Sequence, residues 1–181
     1  MASGFAELSG WANYYVIVGS SAGALTGLQF VVITLLAQVG VVGSGQELRA
    51  FGTPNVVHFC AALLISAMMS APWNAPSPLG ICLAALGAIG FAYSLLVWRH
   101  AKRATGYKPD IGDWISYITL PLATYAALAV GGVLVARHVR WSLVVIAAVA
   151  LLFLFIGIRN AWDTITYVAL ARHGRKQEPG G

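Results

Sequence analysis

Apolar residues run through this chain in long, nearly unbroken blocks, not in the alternation of a half-buried strand or the one-sided stripe of a surface helix. Five blocks stand out, at positions 14–38, 54–72, 78–98, 114–136 and 141–163, and the first three carry no charged residue. A membrane-spanning helix needs about 20 mostly apolar residues, since each adds about 1.5 Å against about 30 Å of hydrocarbon. The pattern predicts an all-α integral membrane bundle of five transmembrane helices, one domain over 1–171, followed by a basic tail over 172–181 that reads as disordered.

Local chemistry marks several boundaries. Thr53 suits a helix cap and Pro54 the first turn after it, where no intrahelical donor is lost. The Pro-Trp-Asn-Ala-Pro-Ser-Pro run at 72–78 predicts a short turn between antiparallel helices, making the second and third segments neighbours. Pro121 inside the fourth segment predicts a kink. The fifth is expected to continue as an interfacial turn through Asp163 to Tyr167. Trp and Tyr fall near many of these ends, where amphipathic rings sit at headgroup level.

Composition agrees with the pattern. Of 181 residues, 59% are hydrophobic and 9% charged, too apolar to close over a water-soluble core. The net charge of +5 does not point to nucleic acid, because the cations form short clusters beside the apolar blocks rather than one basic face. Those clusters set direction. If alternate loops lie on opposite sides, nine of the eleven cations share one side, and only Arg137 and Arg140 occupy the other. Lysine- and arginine-rich loops stay in the cytoplasm, so the N-terminus is expected outside and the C-terminus inside. The first dozen residues hold Glu7 and no cation, lacking the basic start of a cleavable signal, so the first helix is expected to remain. Arg99, Lys102, Arg103, Arg172, Arg175 and Lys176 would contact anionic lipid headgroups on the cytoplasmic side, at about 1 kcal/mol per charge.

Cys60 and Cys82 differ in predicted depth by about 15 Å along their helices, beyond the roughly 7 Å Cα separation of a disulfide. Both read as buried, small apolar residues.

Gly19, Gly23 and Gly27 recur every four residues in the first segment, a stripe that lets another backbone approach closely. It can serve a seam within one subunit or between subunits. Ala84, Ala88 and Ala92 form a weaker version. Gln29 lies near the middle of the same segment, roughly 120° round from the glycines, where an unpaired amide would cost several kcal/mol. At the predicted cytoplasmic end, His58 lies four residues into the second segment beside Asn55. Asn160 returns to a similar depth, followed by Asp163. A histidine beside a carboxylate at a membrane interface can relay protons or gate a passage. The plainer expectation is a satisfied helix-end network in which Arg159 pairs with Asp163 at i, i+4. His58 with His100 is the only histidine pair placed for haem, and neither that pair nor any metal or phosphate-binding motif points to a cofactor or an enzyme.

Residues 11–38, WANYYVIVGSSAGALTGLQFVVITLLAQ, resemble the opening of a group of small, uncharacterised bacterial multi-pass membrane proteins, some of which carry the label of modulator of a membrane AAA protease. The likeness covers about a sixth of the chain, and beyond it only the helix count and motifs such as GIRNAWD at 157–163. It implies a place in the bacterial inner membrane and no catalytic residue. Two function classes follow: a non-enzymatic structural or accessory subunit, homo-oligomeric or part of a membrane complex through its glycine stripe, or an oligomeric channel or transporter for an ion or small solute along Gln29, Asn55, His58, Asn160 and Asp163.

Overall fold

The computed structural model describes residues 10–38, 45–103 and 115–176. They form helices, with no strand among them: α1 over Ala12–Gln38, α2 over Gly45–Ser70, α3 over Pro76–Arg103, a π-helical turn at Ile115–Thr119 that runs into α4 over Leu120–Ala136, and α5 over Ser142–Lys176. Four stretches are long and apolar enough to cross a membrane: Ala12–Leu35, Pro76–Arg99, Tyr117–Ala136 and Ser142–Asp163. In α2 the apolar part, Asn55–Ser70, is shorter.

The helices differ from the sequence reading chiefly at their ends. Thr53 and Pro54 do not start α2; the helix begins at Gly45, because the polar Gln46–Ala50 stretch is itself a good helix former that hydropathy passes over. At Pro121 the expected irregularity takes the form of the π turn just before it, which widens the backbone where the proline offers no N–H and its ring would crowd the preceding carbonyls. Beyond the apolar stretch, α5 continues unbroken to Lys176, taking in the start of the basic tail. Residues 104–114, with Lys108, Asp110 and Asp113, lie outside the described residues, as do Glu7 and 177–181.

Packing does not follow chain order. Laterally, the order is α1, α2, α5, α4, α3, with α1 also reaching α5. The expected α2–α3 hairpin is therefore corrected: these two helices barely touch. Their five-residue link holds itself, the Trp73 indole donating to the Met68 carbonyl at 2.6 Å, and leaves α3 free to find a better partner.

That partner is α4. A Cβ on Gly87 would collide with the backbone of Ala129, one on Gly132 with the backbone of Ala84, and one on Gly80 with the backbone of Ala136. The two main chains thus lie in direct contact along a seam of Gly80, Ala84 and Gly87 against Ala129, Gly132 and Ala136. Lipid offers no hydrophobic drive for helix pairing, so dispersion between such close backbones is the available gain. Of the Ala84, Ala88 and Ala92 stripe, only Ala84 takes part; Ala88 and Ala92 are exposed.

The core draws on all five helices, with Tyr15 and Ala22 of α1 and Leu79 and Leu83 of α3 buried in it beside Phe59 and Ile65 of α2, Leu128 of α4 and Ile146 and Phe153 of α5. Outward, Ile17, Phe30, Ile81, Ile89, Val130 and Phe155 are each more than half exposed. Apolar cover on this scale suits a lipid solvent, as for a helical membrane protein. Polar side chains inside the apolar helices fold back on their own backbone: Thr26 donates to Ala22, Thr34 to Phe30, Ser94 to Gly90 and Thr124 to Leu120, each to a carbonyl one turn earlier. At the α4–α5 corner His138 adopts φ 59°. There His138 N–H donates to Val135 and Val139 N–H to Leu134, the paired bonds that satisfy the last carbonyls of a helix and turn the chain sharply.

Both cysteines are free, as their depths require, but they are not buried: Cys60 is exposed and Cys82 partly so. Each lies on an outward face, where lipid receives a thiol as readily as a core does.

Candidate functional site

The buried polar groups concentrate where α2, α4 and α5 meet. On α2, Asn55 is fully buried and His58 is 3% exposed, one turn apart on the inward face. The imidazole stacks on Phe153 of α5, ring centroids 5.9 Å apart at 18° between planes, and tilts against Tyr125 of α4 at 6.2 Å. Tyr125 and Phe153 are themselves 4.5 Å apart, so His58 completes a three-ring cluster. Gly157 makes the approach of α5 to α2 possible, since a Cβ there would strike the Phe59 ring. Asn160, further along α5, is also fully buried.

Among the described residues, neither amide atom of Asn55 nor Nδ1 of His58 has a hydrogen-bond partner. A buried polar group left without a partner costs about 1–3 kcal/mol.

Sequence-predicted candidates separate here. Asp163 does not join His58; its partner is Arg159, at 3.9 Å, and the two side chains are 43% and 62% exposed. The i, i+4 pair expected from spacing is the one that forms. Gln29 is buried on the face of α1 that also carries Tyr15, Val18 and Ala22, placing it on the inner side of the bundle. Of the glycines, Gly19 lies against Ser66 of α2, where a Cβ would come within 2.9 Å of the serine Cβ. Among the described residues, no neighbouring atom lies within 4 Å of where a Cβ on Gly23 or Gly27 would stand. Arg99 is exposed, while the side chains of Lys102, Arg103, Arg172, Arg175, Lys176 and His100 lie outside the described residues. Among the described residues no three His, Cys, Asp or Glu side chains converge as metal ligands.

Sequence reasoning missed the aromatic partners of His58, because Tyr125 and Phe153 are ordinary members of apolar blocks and only the α2–α5–α4 order brings them together. It also missed Tyr14, whose hydroxyl donates to the Ala147 carbonyl at 2.6 Å and ties α1 to α5. The α3–α4 seam had a signal: Gly80 and Ala84, like Gly132 and Ala136, are small residues four apart.

No protein-family model, no curated protein and no solved structure matches this chain. The resemblance in residues 11–38 therefore carries no activity across, and function has to be argued from the site and the surfaces themselves.

Proposed function

We propose that the protein is a five-span component of the bacterial inner membrane, N-terminus outside and C-terminus cytoplasmic, acting as a non-enzymatic structural or accessory subunit that assembles through α1. Supporting a fifth span, α2 is flanked by α1 and α5, so protein neighbours cover much of a helix whose apolar part is short. The cation count supports the direction, and the basic ends of α3 and α5 would lie among anionic headgroups on the cytoplasmic side.

The observation that carries the assembly reading is the open pair Gly23 and Gly27. On a lipid-facing surface a glycine gains nothing over leucine, yet two stand one turn apart with empty space over them. That is the geometry at which a second helix gains close backbone contact. Gly23→Leu is expected to leave the fold intact, there being nothing to strike, and to dissociate the assembly on native gels or by mass photometry. An unchanged assembly would remove the role of this face.

A second reading, an ion or solute conduit, draws on the unpartnered Asn55 and His58 atoms. It expects proton or ion flux in liposomes that falls in His58→Ala and in Asp163→Asn. Absence of flux from an intact wild-type assembly would sink it. The His58 ring is packed between aromatic neighbours and Asp163 is paired at the surface, which favours the structural reading.

A further inference from the structure

Asn55 opens the apolar stretch of α2, Asn55–Ser70, and His58 follows one turn further in, about 4.5 Å along the axis. Residues three apart on a helix lie on one face, with Cβ atoms about 5–6 Å apart. Both side chains are closed off: Asn55 has no exposed surface, and the imidazole is covered by the Phe153 and Tyr125 rings. Three of their polar atoms, Oδ1 and Nδ2 of Asn55 and Nδ1 of His58, have no hydrogen-bond partner among the described residues. An aromatic face is no substitute for one, and buried polar groups are paired as a rule, with protein or with water.

We infer that Asn55 and His58 share a site for one buried water molecule, which bridges the carboxamide to Nδ1. The spacing fits. Two hydrogen bonds of about 2.8 Å through one oxygen join groups about 5 Å apart, the separation that side chains at i and i+3 reach. The chemistry fits whichever ring nitrogen carries the proton. With Nδ1 bare, water donates to it and accepts from the Nδ2–H group; with Nδ1 protonated, the ring donates to water and water donates to Oδ1. Enclosure favours the smallest molecule that both donates and accepts, and two to four polar partners are what buried water needs. The polar first turns of α2 adjoin Asn55, and water enters from that side. It goes no further, since Phe59, Ala62 and Ile65, buried next along the helix, offer only apolar surface. The site is thus an end point and not a step in a conduit, and it rests on neither the assembly through α1 nor the direction of insertion.

The test is nuclear magnetic resonance of the full chain in detergent with isotope-labelled histidine. H58F, which keeps a ring against Phe153, assigns the His58 signals by their loss. Wild type is expected to show magnetisation transfer between a long-lived water and the His58 ring, and N55L should abolish it. Melting temperatures give a second readout. N55L and H58F should each melt below wild type, because either strands the polar group left behind, and the double variant should lose less than the two losses added together. Were the pair dry, each substitution would exchange an unpaired polar group for an apolar one and raise the melting temperature. The site is overturned by absence of a water signal at His58 in wild type, by a signal that N55L leaves unchanged, or by single variants that melt above wild type. If N55L does not fold, the wild-type signal and the melting of H58F decide.

Discussion

Phe153→Ala is expected to lower the stability of the folded bundle by about 2–3 kcal/mol, read as a loss of resistance to heat or to sodium dodecyl sulfate in detergent. In water, truncating a buried phenylalanine costs about 3–5 kcal/mol, part of it transfer of apolar surface back to solvent. Lipid is as apolar as the core, so that part falls away and the cavity and lost ring contacts remain. Phe153 is fully buried and touches both His58 and Tyr125, so its removal opens the three-ring cluster that joins α2, α4 and α5. Phe155→Ala serves as the matched control. That ring is 59% exposed, and its loss should change little. Equal effects of the two substitutions would show that the α2–α4–α5 junction is not the core.

Gly132→Ala is the second large effect, expected to cost about 2 kcal/mol although it adds a single methyl group. In an exposed helix interior the same change is worth up to about 1 kcal/mol in favour of alanine. Here the new Cβ would strike the amide nitrogen of Ala84, and a backbone cannot swing aside as a side-chain tip can. The α3 and α4 axes would have to separate, with loss of contact along the whole seam from Gly80 to Gly87. Gly23→Ala makes the opposite case on the same chemistry, since no described neighbour lies within 4 Å of that position. It should leave the isolated subunit as stable or slightly more so. A Gly132→Ala protein that melts with wild type would mean the α3–α4 approach is looser than drawn.

What could be read along the chain differs in kind from what could not. The bounds of helix α1 were legible to within two residues, because an apolar block of that length has few places to go. The start of α2 was missed by nine residues, since Gly45–Thr53 is helical without being apolar and Pro54 looks like a beginning even when it is not one. The Arg159–Asp163 pair followed from helical spacing, a purely local property. The fate of His58 did not. Its neighbours Tyr125 and Phe153 lie 67 and 95 positions away, and nothing local distinguishes them from other aromatics in apolar blocks.

The glycines make the same division sharper. Spacing announced Gly19, Gly23 and Gly27 as a packing stripe, yet among the described residues the close backbone contacts are made by Gly80, Gly87 and Gly132 on other helices, and of the stripe only Gly19 meets a neighbour there. A small-residue repeat states that a helix can be approached, not by which helix.

By itself, then, the sequence determined that this is a helical chain suited to a bilayer, roughly where its long apolar helices lie and how its cations are distributed, because hydropathy and charge act residue by residue against the solvent. The tertiary structure alone decided the order α1, α2, α5, α4, α3, the aromatic enclosure of His58 and the separation of His58 from Asp163. In lipid every outward face is equally content to be apolar, so pairing is left to close fits between particular surfaces, and those fits exist only once the helices are side by side.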